Sequence, residues 1–223
     1  MKGKRKMKYE AVIFDLDGTL LNTLEDLCDA VNHTMKLFGY TEHTIDEVRR
    51  FVGNGVDRLI TLCVPGGEKD PKLSEAIREY RAYYTAHSEI KTKPYDGIEE
   101  LIDKLKKDEI KTAVVSNKLH KATKELCTKY FPSIEVVCGE RESEGIRRKP
   151  YPDTLIESVK ELGVSLEKTV YVGDSEVDVI TSHNAGVDCI SVLWGFRDRD
   201  YLIKNGATVF AETAEELYKK IKG

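Results

Sequence analysis

The chain has 223 residues, a formal net charge of −4 and 40% hydrophobic residues, enough for one core-forming domain with or without a smaller attachment. A mildly acidic balance, pI about 5.8, gives no pull toward nucleic acid, and no apolar run nears the ~20 residues of a membrane span. Five dispersed cysteines (Cys28, Cys63, Cys127, Cys138 and Cys189) show no CxxC or zinc-type spacing, which suits a reducing cytoplasm better than a disulfide scaffold.

In chain order, a basic cluster comes first: Lys2, Lys4, Arg5, Lys6 and Lys8. The apolar run behind it is cut short at Asp15, so residues 1–8 are expected to be a solvated tail and not a signal peptide. A strand is expected over 11–14. From Leu21 to Glu89 no convincing strand follows. Four helices are marked there instead, by Leu27, Val31 and Phe38, by Ile45, Val48 and Phe51, by Val56, Leu59, Ile60 and Cys63, and by Leu73, Ile77, Tyr80 and Tyr84. Residues 21–90 thus form an inserted helical unit, which could rock as a lid or serve as a fixed packing module.

After the insert, short apolar runs at 112–116, 134–137, 169–172, 189–192 and 208–210 alternate with helical patterns at 97–107, 120–130, 151–162, 175–185, 198–204 and 213–221. Short, continuously apolar strands separated by helices predict an α/β domain, residues 9–20 with 91–223. Its expected architecture is a Rossmann-like parallel sheet covered by helices on both faces.

In an open parallel sheet the ligand lies beyond the carboxyl ends of the strands. The first strand ends in Asp15-Leu16-Asp17-Gly18-Thr19, the second in Ser116-Asn117-Lys118, and the fourth in Gly173-Asp174-Ser175-Glu176, with Asp178 just inside the next helix. Lys149-Pro150 precedes another helix. Singly, each has a plain structural use: Asp174 and Ser116 as caps or turn residues, Asp178 as a first-turn acid, Lys149 as a solvated charge. Together they put several carboxylates on one edge, where they repel unless a cation neutralises them. Oxygen ligands without histidine suit Mg²⁺. Such a set fits phosphoryl transfer: Asp15 as nucleophile, Asp17 as general acid and base, Gly18, Thr19 and Ser116 on phosphate oxygens, and Lys149 offsetting charge.

These motifs resemble those of the haloacid dehalogenase superfamily of phosphohydrolases. The resemblance implies an aspartyl-phosphate intermediate on Asp15, and Mg²⁺ held by Asp15, the Asp17 main-chain carbonyl and Asp174. It also implies Ser116 with Asn117 on phosphate, Lys149 as the third-motif lysine, and Asp178 supporting Lys149 and the metal waters. The helical insert falls where a C1-type cap belongs. Val52-Gly53-Asn54-Gly55, Ser116-Asn117-Lys118 and Trp194-Gly195-Phe196-Arg197 are similar to the phosphoglycolate phosphatase group. That likeness implies 2-phosphoglycolate as substrate, with Arg49, Gly53, Asn54 and Gly55 contributing from the cap. Asn22-Thr23 departs from the Asp-Ser often seen there, which leaves pyrophosphate, sugar phosphates and nucleoside monophosphates open.

Two rivals share part of the pattern. A β-phosphoglucomutase-like mutase uses the same core. A receiver-type regulatory domain also gathers acids and a lysine at strand ends, but a 70-residue insert and the Asp15-x-Asp17 pair argue against it. The expected partner is a small phosphorylated metabolite, with neither nucleic acid nor membrane; monomer and homodimer are equally open.

Overall fold

The computed structural model describes residues 8–223, so Lys2, Lys4, Arg5 and Lys6 of the expected tail lie outside the described residues. Lys8 is solvated and places its ammonium 3.4 Å from Asp188. The chain divides into two compact units, Leu21–Pro94 and the flanking sequence on both sides of it. The helical unit therefore ends at Pro94 and not at residue 90.

The first strand is β1 (Ala11–Phe14). The helical unit holds β2 (Leu21–Asn22), α1 (Leu24–Phe38), α2 (Ile45–Phe51), α3 (Gly55–Cys63), α4 (Leu73–His87) and β3 (Lys93–Pro94). Then come α5 (Ile98–Lys107), β4 (Lys111–Leu119), α6 (His120–Tyr130), β5 (Val136–Glu140), α7 (Asp153–Leu162) and β6 (Thr169–Gly173). The chain continues through α8 (Glu176–Ala185), β7 (Asp188–Val192), α9 (Arg199–Lys204), β8 (Phe210–Ala211) and α10 (Ala214–Lys222).

The main sheet runs β5-β4-β1-β6-β7-β8, and every neighbouring pair is parallel. β1 is central, with Ala11 opposite Lys111 on one side and Thr169 on the other. All four of its residues are buried, as a strand covered on both faces demands. The chain winds from β1 outward to β5, then returns to β6 on the other side of β1. That reversal puts the topological switch point between β1 and β6, where open α/β sheets bind ligands.

Helix α7 lays Leu155, Val159 and Leu162 against Ala11, Ile13, Ala113, Val115 and Tyr171. Truncating one of these leucines to alanine costs about 2–5 kcal/mol. In α5 the buried residues are Ile98, Leu101, Ile102 and Leu105, the i, i+3, i+4, i+7 stripe of an amphipathic helix.

Several strand boundaries differ from expectation, most of all in β4, β5 and β8. β4 extends to Leu119, β5 starts at Val136 instead of 134, and β8 at Phe210 instead of 208. Ile134 is buried, but it closes a turn onto the Phe131 carbonyl, so its apolar signal comes from packing and not from the sheet. β5 instead runs on through Cys138 to Glu140, paired with Val115 and Leu119 across a register shift.

Within the helical unit, β2 and β3 pair antiparallel, Leu21 with Pro94 and Asn22 with Lys93, where no strand was expected. Buried Asp26 accepts bonds from the Lys91 and Thr92 main-chain N–H groups and the Thr92 hydroxyl, fastening the unit's two ends together. Ile45, expected to face the core, is exposed. It opens a short helix whose entry is set by the reciprocal Thr44–Glu47 cap.

Candidate active site

β1 delivers Asp15 to the carboxyl edge of the sheet. The Asp15 N–H bonds the Val172 carbonyl of neighbouring β6 at 2.9 Å, which fixes the backbone at the switch point. Asp15 Oδ1 accepts from the Leu16 N–H at 2.7 Å and from Lys149 Nζ at 2.9 Å. Among the described residues, no such bond falls on Oδ2. Burial raises the Asp15 carboxyl to about 7 even though the Lys149 ammonium pulls it down, and Asp178 adds to the rise.

Lys149 is 3% exposed. It spans Asp15 and Asp178, 2.7 Å from Asp178 Oδ1, and donates to the Tyr171 hydroxyl at 3.0 Å. Burial works against its charge, but the facing carboxylates of Asp15 and Asp178 win, and the ammonium is held above the usual lysine range. The Asn117 side chain donates to the Lys149 carbonyl at 3.0 Å and so supports the lysine's own backbone.

Asp178 is fully buried. Its Oδ1 is taken by Lys149 and Tyr171, and its Oδ2 by the Ser175 N–H and hydroxyl. That reciprocal cap starts α8 directly after β6 and leaves Asp178 an anchor for Lys149. Ser116, buried at the end of the apolar part of β4, accepts the Lys118 N–H at 3.2 Å.

Asp174 follows β6 and is 1% exposed. Its Oδ1 accepts from the Thr19 hydroxyl at 3.0 Å and its Oδ2 from the Phe196 N–H at 2.7 Å. Burial, then the charges of Asp178 and Asp15, drive its carboxyl well above the usual range. The Thr19 hydroxyl, expected on phosphate, is thus turned to Asp174. Gly18 has φ +85, and a Cβ there would lie 2.4 Å from Asp174 Oδ2, so only glycine permits this loop to rest on the acid.

Carboxylate oxygens of Asp15, Asp174 and Asp178 lie within 4.8 Å of one another. At ~5 Å and an effective dielectric of ~20, each ionised pair repels by about 3 kcal/mol. With Asp17, four carboxyl groups face the ammonium groups of Lys118 and Lys149, and ionising all four leaves a surplus of two negative charges for a cation to relieve. Donors that are all oxygen, with no imidazole or thiolate, fit a hard divalent cation. Each oxygen of Asp178 already accepts two bonds, from Lys149 and Tyr171 on Oδ1 and from the Ser175 N–H and hydroxyl on Oδ2, whereas each oxygen of Asp174 accepts one, so Asp15 and Asp174 are the side chains able to hold it.

Three residues beside the acids have roles that the sequence pattern does not assign. Lys118 Nζ grips both oxygens of Asp17, at 2.9 and 3.1 Å, with the lysine side chain 5% exposed. A lysine closing an apolar buried run was the signal, since such a charge needs a partner. Trp194 donates its indole N–H to the Thr19 carbonyl at 3.0 Å, and Phe196 N–H reaches Asp174. Both follow β7, so the strand-end rule extended by one strand would have found them. Arg49 ends α2, while Gly53, Asn54 and Gly55 form the turn into α3. These four belong to the helical unit, and the acid cluster is built wholly by the other one.

A family profile, haloacid dehalogenase-like hydrolase, matches residues 12–192. A phosphoglycolate phosphatase of Aquifex aeolicus is 33% identical over 83% of this chain and 85% of its own length. The pyrophosphatase PpaX of Bacillus cereus is 29% identical over 88% of both chains. A crystal structure from Lactobacillus delbrueckii subsp. bulgaricus, of a protein proposed to be a phosphoglycolate phosphatase, superposes with a TM-score of 0.92 at 38% identity. It covers 97% of this chain and 100% of that one. The parallel sheet with acids at its switch point is an α/β architecture, and the family profile makes it a hydrolase. The chain belongs to the haloacid dehalogenase-like hydrolases.

Proposed function

We propose that this chain hydrolyses a small phosphomonoester, 2-phosphoglycolate to glycolate and phosphate, through a covalent phosphate on Asp15. The observation that carries this is Asp15 itself: a buried carboxylate at the switch point, paired to Lys149 on one oxygen and, among the described residues, without a hydrogen bond on the other. The chain is a phosphatase of its family, and the substrate assignment is supported by the Aquifex relative.

Asp15 Oδ2 forms the bond to phosphorus as the bond to the leaving alkoxide breaks. Asp17 gives that alkoxide a proton and later takes one from the water that attacks the aspartyl-phosphate. Phosphate then departs and the Asp15 carboxylate is restored. Lys118, on both oxygens of Asp17, fixes where that side chain stands. Lys149 balances the nucleophile, and Ser116 with the N–H groups around Gly18 receives phosphate oxygens. Asp15, Asp174 and the Asp17 main-chain carbonyl would hold Mg²⁺, which when bound neutralises charge on the phosphoryl oxygens. For the non-reacting end of the substrate we assign Arg49 and the Gly53-Asn54-Gly55 turn, supported by the resemblance of that segment. Five free cysteines suit a cytoplasmic protein, and among the described residues no helix is long and apolar enough to cross a membrane.

A second reading, pyrophosphate as substrate, is favoured by the likeness to the Bacillus pyrophosphatase. A panel of 2-phosphoglycolate, pyrophosphate, hexose phosphates and nucleoside monophosphates, ranked by kcat/KM, separates the two. Phosphoglycolate is expected to lead; pyrophosphate in first place overturns the assignment.

A further inference from the structure

Asp174 lies between two turns that come from distant parts of the chain. One is Gly18-Thr19 after β1; the other is Trp194-Gly195-Phe196 after β7. Both turns approach the acid more closely than any side chain would allow. A Cβ on Gly195 would stand 2.2 Å from Asp174 Cβ and 2.4 Å from the Gly18 carbonyl oxygen. Each turn also supplies one donor to the carboxylate, Thr19 Oγ1 to Oδ1 and Phe196 N–H to Oδ2.

A carboxylate oxygen accepts more than one bond, so each oxygen of Asp174 stays competent toward a cation while its plane is fixed. The two turns are joined by the indole N–H of Trp194 on the Thr19 carbonyl, 3.0 Å long. A closed circuit results: indole to Thr19, Thr19 hydroxyl to Asp174, Asp174 to Phe196, and two residues back along the chain to the indole. Tyr95 backs the indole, ring centroids 6.5 Å apart.

We infer that Trp194 is a positioning residue for the cation site, holding the Thr19 turn so that its hydroxyl orients the Asp174 carboxylate. The inference rests on the cation-holding role given to Asp174 above. The indole N–H engages the Thr19 carbonyl and not Asp174 itself, so Trp194 acts through Thr19. Partners of a metal ligand set its orientation, and losing one typically weakens metal binding by about 10–100-fold.

The chain contains one tryptophan, which permits a clean test. Biosynthetic replacement of tryptophan by 3-benzothienylalanine changes this residue alone, keeping the fused-ring shape and removing the N–H. Mn²⁺ binding, without substrate, is measured by calorimetry for the natural protein, the benzothienyl protein, Trp194→Phe and Asp174→Asn. The expected result is Mn²⁺ affinity reduced by about tenfold or more in the benzothienyl protein. If the benzothienyl protein binds within twofold of the natural one, the inference is overturned, even where Trp194→Phe binds weakly, because packing and not the hydrogen bond would then matter. Should Trp194→Phe fail to fold, the near-isosteric protein still decides. Natural protein and Asp174→Asn binding Mn²⁺ alike would instead remove the cation role of Asp174, and the inference with it.

Discussion

Lys149 and Asp15 form a buried ion pair, Nζ to Oδ1 at 2.9 Å, and the same ammonium lies 2.7 Å from Asp178. One cation therefore serves two carboxylates, Asp178 fully buried and Asp15 nearly so. The Tyr171 hydroxyl, 3.0 Å from Nζ, and the Asn117 amide on the Lys149 carbonyl fix it there. Lys149→Met should leave two buried acids uncompensated, at a cost of about 3–5 kcal/mol, and lower turnover by about 10²–10³-fold. Denaturant unfolding and phosphatase assays of the variant measure both. Lys149→Arg should not restore turnover, since a planar guanidinium cannot replace a compact ammonium in a closed site. A variant within a few-fold of normal activity would contradict the role.

Asp174 and Asp17 differ in what they offer. In the proposed cation site Asp174 would present a hydrogen-bonded carboxylate, whereas Asp17 would offer its main-chain carbonyl. Asp174→Asn should abolish Mn²⁺ binding. Asp17→Asn should keep it while losing about 10²–10⁴-fold in turnover. Equal loss of metal in both would show that the Asp17 side chain is itself a ligand.

Lys118 holds Asp17 by both oxygens. Lys118→Met should lower kcat by about tenfold to a hundredfold through a misplaced proton carrier, with Mn²⁺ affinity unchanged. Calorimetry and steady-state kinetics on one preparation test this; an unchanged kcat would leave Lys118 a structural partner only.

His120 opens α6, and its Nδ1 accepts the Gly139 N–H at 3.1 Å. Burial first, then Lys124 and Arg141, hold its imidazole below the usual histidine range. The unfolded chain takes up this proton near pH ~6.5, the folded chain only at lower pH. The contribution to stability is therefore present above ~6.5 and lost as pH falls through the folded value. His120→Asn keeps an acceptor that does not titrate, so its thermal midpoint should fall less than that of the natural protein between about pH 7.5 and about pH 5.5. Parallel falls would contradict the assignment.

What the sequence made legible was its strand ends. A buried apolar run closed by acids, as in Val12-Ile13-Phe14-Asp15 and Val170-Tyr171-Val172-Gly173-Asp174, places those acids on one edge once the sheet is parallel. The helical stripe of α5 was equally readable. Hydrogen-bond direction was not. Nothing local says that the Thr19 hydroxyl turns to Asp174, 155 residues away, or that Lys118 reaches Asp17. The β2–β3 pair escaped because two-residue strands carry no alternation. Asp26 reads as a first-turn acid, yet its donors lie at Lys91 and Thr92, 65 and 66 residues further along.

In the proposed reaction Asp15 carries the phosphoryl group. Phosphate release from 2-phosphoglycolate should be followed for the natural protein with Mg²⁺, the natural protein with EDTA, and Asp15→Asn with Mg²⁺. Release in the first arm alone, with acid-stable phosphoryl label recovered on the peptide containing Asp15, is the result predicted. Equal release in all three arms would contradict it.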